Sequence, residues 1–249
     1  MSVDGERQRR TDSAGPVTIG RFRYLHAPRP LHFPEHERVP ETKLHLELRT
    51  LLWHFLKLAF ADTALIGCDQ FVYWDAANPR ASLAPDAFVR LGGRDELFGS
   101  WKVWERGAPH VAVEIISSHD ARDGNWAAKL QAYRQLGVRE LVRFDPEAET
   151  ARLRVWDRID NDLAERDVEG AAASNVLPGF WLEVMNPQLG PSLRLSRDQA
   201  GADLYLTPGE ADAKRIEADA KRMEADAKRM EADAKRIREL EAELARRGG

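Results

Sequence analysis

Apolar residues recur at helical spacing after Thr42. The apolar positions are Leu44, Leu48, Leu51, Leu52, Phe55, Leu58 and Ala59. Spacings of three and four residues place these side chains on one face of a helix. We therefore predict a helix that begins near Thr42. His45 and Glu47 lie off the apolar face or at its rim.

Shorter runs of β-branched, aromatic and aliphatic residues follow that helix and indicate strands. The predicted strands are 64–74, 84–91, 110–116, 139–145 and 150–157. A looped region with Gly92-Gly93, Trp101 and Trp104 precedes the third of them. A second helix is predicted from about Asp123 to Leu136, where Gly137 suits a left-handed cap. This order of helices and strands predicts a mixed α/β sheet.

The third predicted strand contains a charged residue, Glu114, within the apolar run His110–Ile116. A charged carboxylate buried in such a run is energetically costly unless a cation or a hydrogen-bond network compensates its charge. Asp86, after Pro85 at the edge of another strand, and Lys129, on the second helix, are the candidate neighbours. Two carboxylates beside an ammonium group predict a divalent-metal site that activates water. A structural ion pair is the competing interpretation of Glu114.

After Pro208 the sequence changes to E-A-D-A-K-R followed by Ile or Met, repeated four times from Glu210 to Ile237. The seven-residue period places Ile216, Met223, Met230, Ile237 and Leu244 on one thin apolar stripe. One interpretation is a solvated single helix supported by pairs such as Glu217 with Lys221. The other is an oligomerisation or docking arm. Under the second interpretation, residues 210–247 would bind a second copy of the chain or a helical partner.

Composition favours one sizeable core in a chain of 249 residues that is 43% hydrophobic and 31% charged. The predicted organisation is a mobile polar N-terminus at 1–20, a globular domain at 21–205 and a helical tail at 206–249. At the start of the globular domain, the proline-rich stretch 27–40 is predicted to be an extended loop. The single Cys68, the polar first twenty residues and the lack of a long apolar run predict a cytoplasmic protein that does not bind membranes.

Charge does not by itself indicate a nucleic-acid partner. The net charge is −4, and without the tail the chain has 26 Lys and Arg against 30 Asp and Glu. Binding to a duplex usually depends on a basic surface. The basic residues must therefore segregate in space, or binding must depend on a metal that masks the acidic site.

Residues 45–184 resemble the putative restriction endonuclease family of the PD-(D/E)XK nuclease superfamily. The resemblance rests on the order and spacing of seven motifs. They are His45 at a helix start, Pro85-Asp86, Val113-Glu-Ile-Ile-Ser117, Lys129 with Tyr133, Gly137-Val-Arg-Glu-Leu141, Asp145-Pro146 and Leu177-Pro-Gly-Phe180. The chain has Ser117-Ser118-His119 where the family usually has Ser-Pro-Ser. The family's early G-E strand has no clear match before residue 41, and Glu41 and Glu47 are the nearest substitutes for its acid.

The resemblance implies a restriction-endonuclease-like fold, in which a mixed central sheet is flanked by helices, here followed by the long C-terminal helix. It also implies metal-dependent hydrolysis of DNA. Asp86, Glu114 and the backbone carbonyl of Ile115 would hold Mg²⁺ or Mn²⁺, and Lys129 would orient or deprotonate the attacking water. Asp86, Glu114 and Lys129 are thus the predicted catalytic residues.

Other polar residues carry weaker expectations. His32 and His36 are interpreted as solvated loop residues because Pro34 lies between them. His119 is interpreted as a turn residue, and Tyr133 as a core residue or a support of the site. His45 either reaches the site or serves in capping or packing.

Three hypotheses follow from the sequence. The first is a Mg²⁺-dependent DNA endonuclease. The second is a nuclease fold of weak or lost activity that binds nucleic acid or assembles through its helical tail. In the third, the tail performs the function and the globular domain is its scaffold.

Overall fold

The computed structural model describes residues 42–117 and 126–248. The predicted mobile segment 1–20 and the predicted extended loop 27–40 lie outside these residues. The division of the chain at 1–20, 21–205 and 206–249 therefore remains a prediction. Within the described ranges, no helix is both long and apolar enough to cross a membrane.

A six-stranded mixed sheet forms the centre of the domain, in the order β1-β4-β6-β7-β8-β9. The strands are β1 (Ala64–Gly67), β4 (Ala87–Leu91), β6 (Val111–Ile115), β7 (Glu140–Phe144), β8 (Leu153–Ile159) and β9 (Asp162–Arg166). β6 and β7 pair in parallel, whereas the other neighbours are antiparallel. β6 lies inside the sheet and all five of its residues are buried, as expected for a strand covered on both faces.

Helices cover both faces of this sheet. The helix α1 (Lys43–Phe60) begins at the N-cap Thr42, whose side chain accepts a hydrogen bond from the backbone N–H of His45. Its apolar side chains pack with Val113, Ile115 and Val142 on one face. On the other face, α3 (Trp126–Leu136) packs Tyr133 and Leu136 against β-strand side chains such as Leu141.

Two small sheets complete the domain. One consists of β10 (Ala171–Ala173), β11 (Phe180–Asn186) and β12 (Gly190–Ser196), and it packs on the α1 face through Trp181 and Leu195. The other joins β2 (Val72–Tyr73), β3 (Ser82–Leu83) and β5 (Trp101–Lys102), and it is followed by the short helix α2 (Val103–Arg106).

The helix α4 (Pro208–Arg247) is joined to the domain through its first turn. Thr207 and Glu210 form a capping box, and the Glu210 carboxylate also accepts two hydrogen bonds, each 2.8 Å, from Arg194. Beyond that turn the apolar stripe is exposed, with Met223 and Met230 more than 70% accessible. The predicted pair between Glu217 and Lys221 is present, at 2.5 Å.

The predicted fold is confirmed: a mixed sheet flanked by helices and followed by a long C-terminal helix. Two local predictions are wrong. The segment 64–74 is two strands, β1 and β2, separated by a bend that includes Asp69 at φ 62°. The predicted loop around Trp101 contains β5 and α2, because the Trp101 ring is fully buried and its Nε1 donates to the carbonyl of Gly107.

Candidate active site

Asp86 and Glu114 meet at one end of the central sheet. Ala87 of β4 pairs with Val113 of β6, so the next step of this antiparallel register brings Asp86 opposite Glu114. Both side chains are nearly inaccessible, at 6% and 3%. The Oδ2 atom of Asp86 accepts a hydrogen bond of 2.7 Å from the backbone N–H of Ile115. This bond fixes the carboxylate of one strand to the backbone of its neighbour.

Glu114 receives both of its side-chain partners from α3. Lys129 Nζ donates to Oε2 at 3.0 Å, and the Tyr133 hydroxyl donates to Oε1 at 2.5 Å. The two donors are four residues apart and therefore lie on one face of α3, as the sequence predicts. Tyr133 is fully buried and thus both packs in the core and supports Glu114.

The electrostatics of the pair favour a protonated Glu114 in the metal-free protein. Burial, together with the charge of Asp86, raises the pKa of Glu114 from 4.5 to about 7, against the lowering effects of Lys129 and of the Tyr133 hydrogen bond. Burial and the charge of Glu114 together raise the pKa of Tyr133 well above its ordinary value. The Tyr133 hydroxyl therefore remains a donor throughout the physiological range.

His45 reaches the site from the first turn of α1. Its Nε2 atom lies 2.9 Å from the carbonyl oxygen of Ile115 and 3.2 Å from Oδ1 of Asp86. A carbonyl oxygen can only accept, so Nε2 carries the hydrogen in this arrangement. The imidazole thus contacts both the Ile115 carbonyl oxygen and the Asp86 carboxylate, which the family resemblance implies as metal ligands. It also takes part in capping α1 through its backbone N–H.

The other sequence candidates fall elsewhere. Glu47 is exposed on α1, whereas Glu41, His32, His36 and His119 lie outside the described residues. In the part of the chain that the structure describes, no group of three or more His, Cys, Asp and Glu side chains is arranged to hold a metal ion. The oxygen donors at the sheet end are therefore two carboxylates and one backbone carbonyl.

Glu140, the acid of the Gly137-Val-Arg-Glu-Leu141 motif, is a fully buried structural residue. Its carboxylate accepts hydrogen bonds from the hydroxyl of Ser174 (2.7 Å), the backbone N–H of Asn175 (2.7 Å) and Trp181 Nε1 (2.8 Å). Burial raises its pKa, and these three donors oppose the rise. Glu140 joins β7 to the turn before β11 and takes no part in the site at Glu114.

Sequence reasoning does not single out Arg143. It is the register partner of Glu114 on β7 and lies over the ring of Trp126. The sequence does contain a signal for Arg143. It is a basic residue within a predicted strand rich in β-formers, and it interrupts the apolar pattern as Glu114 does.

Comparisons with known proteins identify the family of the chain. The sequence model of the family described as Uma2, putative restriction endonuclease, matches residues 36–185, which is more than half of the chain. A solved structure that matches is a putative nuclease belonging to DUF820 from Anabaena variabilis, with 13% identity and a TM-score of 0.36, covering 60% of this chain and 75% of that one. No functionally curated protein matches. The chain therefore belongs to the Uma2 family of putative restriction endonucleases, a family of nuclease type.

Proposed function

We propose that the protein is an endonuclease that hydrolyses phosphodiester bonds of DNA with the help of Mg²⁺ or Mn²⁺. The observation that carries the proposal is the group formed by Asp86, Glu114 and Lys129 at the end of the sheet. Membership of a nuclease-type family supports a hydrolytic function for the domain that contains these three residues. Two neighbouring buried carboxylates repel each other, and a bound cation would offset this cost to the fold.

The donors at this site suit a hard divalent cation. Asp86 and Glu114 offer carboxylate oxygens and Ile115 offers a carbonyl oxygen, which are the ligand types that Mg²⁺ and Mn²⁺ prefer. Asp86 Oδ2 and both Glu114 oxygens each accept one hydrogen bond, and Asp86 Oδ1 lies 3.2 Å from His45 Nε2. Carboxylate oxygens retain a further lone pair for a cation. When bound, the cation would polarise the scissile phosphate and lower the pKa of a bound water.

Lys129 is positioned to act on the attacking water. Its ammonium group lies 3.0 Å from Glu114 Oε2 and its side chain is 29% exposed, so it borders both the carboxylate and the solvent. From there the ammonium can orient a water by hydrogen bonding and offset the negative charge that develops on the phosphate. Lys129 comes from a helix rather than from β6, because Ile116 occupies the position two residues after Glu114.

His45 and Tyr133 act as positioning residues in this proposal. Tyr133 fixes one oxygen of Glu114 from α3. His45 fixes Asp86 and the Ile115 carbonyl from α1. Held from two helices, the oxygen donors are oriented before a ligand arrives, which lowers the entropic cost of assembling the site.

The second candidate function is a nuclease-fold protein of weak or lost activity that binds nucleic acid or assembles through α4. Two observations favour it: within the described ranges only two carboxylates meet at the site, and the apolar stripe of α4 is exposed. A catalytic assay separates the two functions.

The purified full chain is incubated with supercoiled and linear DNA, single-stranded DNA and RNA, in Mg²⁺, in Mn²⁺ and in EDTA. We expect nicking of supercoiled DNA with metal only. Asp86→Ala and Glu114→Ala should abolish it, and both variants should remain folded by circular dichroism. The control is Glu183→Ala, which removes a carboxylate of β11 that pairs with Arg152, and this variant should cleave like the wild type.

Wild-type cleavage rates in Asp86→Ala at saturating Mg²⁺ would refute the assigned site. A wild-type chain that binds DNA without cutting any substrate would favour the second function.

A further inference from the structure

Four charged side chains form a row across one face of the central sheet. Asp86 and Glu114 stand at the ends of β4 and β6, Glu114 is the register partner of Arg143 on β7, and Arg143 is the register partner of Arg154 on β8. Neighbouring strands lie about 4.8 Å apart. The first guanidinium is therefore one strand from the proposed catalytic carboxylate, and the second is two strands away.

Arg143 lies beside the site and has guanidinium N–H donors without an acceptor in the described residues. Its guanidinium carbon lies 5.3 Å from the centre of the Trp126 ring, and its NH2 donates to Asp145 at 3.0 Å. The side chain is 16% exposed. Its buried Nε has no hydrogen-bond acceptor within the described ranges, and an arginine carries five N–H donors in all. Burial, followed by the repulsion of Arg154, lowers the pKa of Arg143, so an additional anion here would be favourable.

The first residue of α3 adds a second donor without an acceptor. Trp126 Nε1 is buried and has no hydrogen-bond partner among residues 42–117 and 126–248. Its ring packs on Trp156 with the centroids 5.2 Å apart, and Arg154 lies 5.0 Å from the centre of the Trp156 ring. Two indoles thus support two guanidinium groups, next to the site and on the same face of the sheet.

We propose that Arg143 and the Trp126 indole N–H together bind a backbone phosphate of the nucleic acid, next to the phosphate that is cleaved. The inference rests on the proposed function, because the ligand is the substrate of the Asp86 and Glu114 site. A phosphate oxygen supplies the acceptors that both buried donors lack. The planar guanidinium matches two phosphate oxygens at once, which a lysine ammonium cannot do.

Arg154 contributes more weakly in this arrangement. Its Nε and NH2 are both engaged by Glu165, at 2.5 and 2.7 Å. It therefore adds positive potential along the row while Arg143 makes the direct contact. The row also explains how a chain without an excess of basic residues can bind a phosphate. The two guanidinium groups lie beside the carboxylates of the site rather than spread over the surface.

The test measures binding without cleavage. Fluorescence anisotropy of labelled duplex DNA, single-stranded DNA and single-stranded RNA is recorded in EDTA from about 50 to 200 mM salt, with the full chain. Each phosphate contact contributes about 0.9 to the slope of log K against log salt for a duplex, and about 0.7 for a single strand. Arg143→Gln should lower the slope by that amount and weaken binding about tenfold near 100 mM salt.

Three further variants sharpen the result. Arg143→Lys should keep the wild-type slope at lower affinity. Trp126→Phe keeps an aromatic ring under Arg143 but lacks the indole N–H, so it should weaken binding a few-fold with the slope unchanged. The matched control is Arg197→Gln, since Arg197 also pairs with an acid, Asp203, and lies 4.1 Å from the centre of an aromatic ring, Tyr205. This variant should bind like the wild type.

The outcomes distinguish this inference from the proposed function. If Arg143→Gln keeps the wild-type slope, or if Arg197→Gln lowers it equally, the phosphate contact is refuted even where the wild type cleaves DNA. If the wild type binds with the expected Arg143 dependence yet never cleaves, the contact stands and the catalytic proposal fails. If Arg143→Gln does not fold, unchanged affinity in both Arg143→Lys and Trp126→Phe refutes the contact. A wild type that binds none of the three nucleic acids in EDTA refutes the phosphate contact, and it refutes the proposed function as well only if no substrate is cleaved with Mg²⁺ or Mn²⁺.

Discussion

The substitution Glu114→Gln provides a sharp test of the buried carboxylate. Glutamine has the size of a protonated glutamic acid and its carbonyl oxygen can still accept from Tyr133, but it cannot ionise. The pKa of Glu114 lies near 7 in the folded, metal-free protein and at 4.5 in a free side chain. The folded chain therefore binds this proton more tightly than the unfolded chain does.

This difference determines both the sign and the size of the effect. Below pH 4.5 the residue is protonated in both states, and the stabilising effect of the proton on the folded state is complete. As the pH rises from 4.5 to about 7, the unfolded chain loses the proton first and the wild type becomes less stable. A pKa difference of about 2.5 at 1.36 kcal/mol per unit corresponds to a loss of roughly 3 kcal/mol by pH 8.

Glu114→Gln should not suffer this loss. Urea denaturation in EDTA, at several pH values between 4 and 8, gives the free energy of unfolding of each protein. We expect the stability of the variant relative to the wild type to rise by roughly 3 kcal/mol between pH 4 and pH 8. A cost that does not depend on pH, such as a small change in packing, appears equally at every pH and does not alter this change. The attraction of Lys129 for the ionised carboxylate is already included in the pKa of Glu114.

The matched control is Glu217→Gln on α4. Glu217 is fully exposed, and the hydrogen bond from Lys221 lowers its pKa below 4.5. The stability of the Glu217→Gln variant relative to the wild type should therefore not change between pH 5 and 8. A Glu114→Gln variant whose relative stability is likewise flat over this range would refute the raised pKa. A decrease with rising pH would show that Lys129 outweighs burial.

Three other predictions concern the catalytic lysine, the buried Glu140 and the tail. Lys129→Gln should lower the cleavage rate at least tenfold while Mn²⁺ affinity, measured by calorimetry, changes little; a large loss of affinity instead would make Lys129 part of the metal site. Glu140→Ala removes the acceptor of three donors, of which the Trp181 indole is buried, and should destabilise the fold by about 3–5 kcal/mol in urea titrations, whereas a loss below about 1 kcal/mol would contradict its structural role. The peptide 205–249 should be helical but only weakly associated at pH 7, because acids flank its apolar stripe, and should associate more strongly near pH 4; sedimentation showing a tight dimer at pH 7 would contradict this.

The parts of the site that follow from chain-local patterns could be predicted from the sequence. Glu114 stands out because one carboxylate interrupts an apolar strand, and Lys129 and Tyr133 share a face because they are four residues apart on a helix. Family motif order then places Asp86 beside them. The position of His45 could not be predicted in this way. It lies off the apolar face of α1, and only the packing of that helix at the sheet end brings its ring to Asp86.

The strands in the second half of the domain are harder to predict from the sequence. β10 consists of three alanines, which favour helices in isolation, and it is a strand because β11 pairs with it. Tertiary pairing overrides local preference there. The predicted strands end at 157, although β11 does carry a strand signal in the β-formers Phe180, Trp181 and Val184.

The attachment of α4 by a single turn has a consequence for its amide hydrogens. Arg194 and Thr207 join the first turn to the domain, so the amides near Glu210 should exchange with solvent only when the domain opens. Further along, no residue of the helix is buried, and protection there depends on the helix–coil equilibrium alone. Exchange should therefore become faster toward Arg247. A ligand of the apolar stripe would be detected as slower exchange in the last turns, long before any change in the domain.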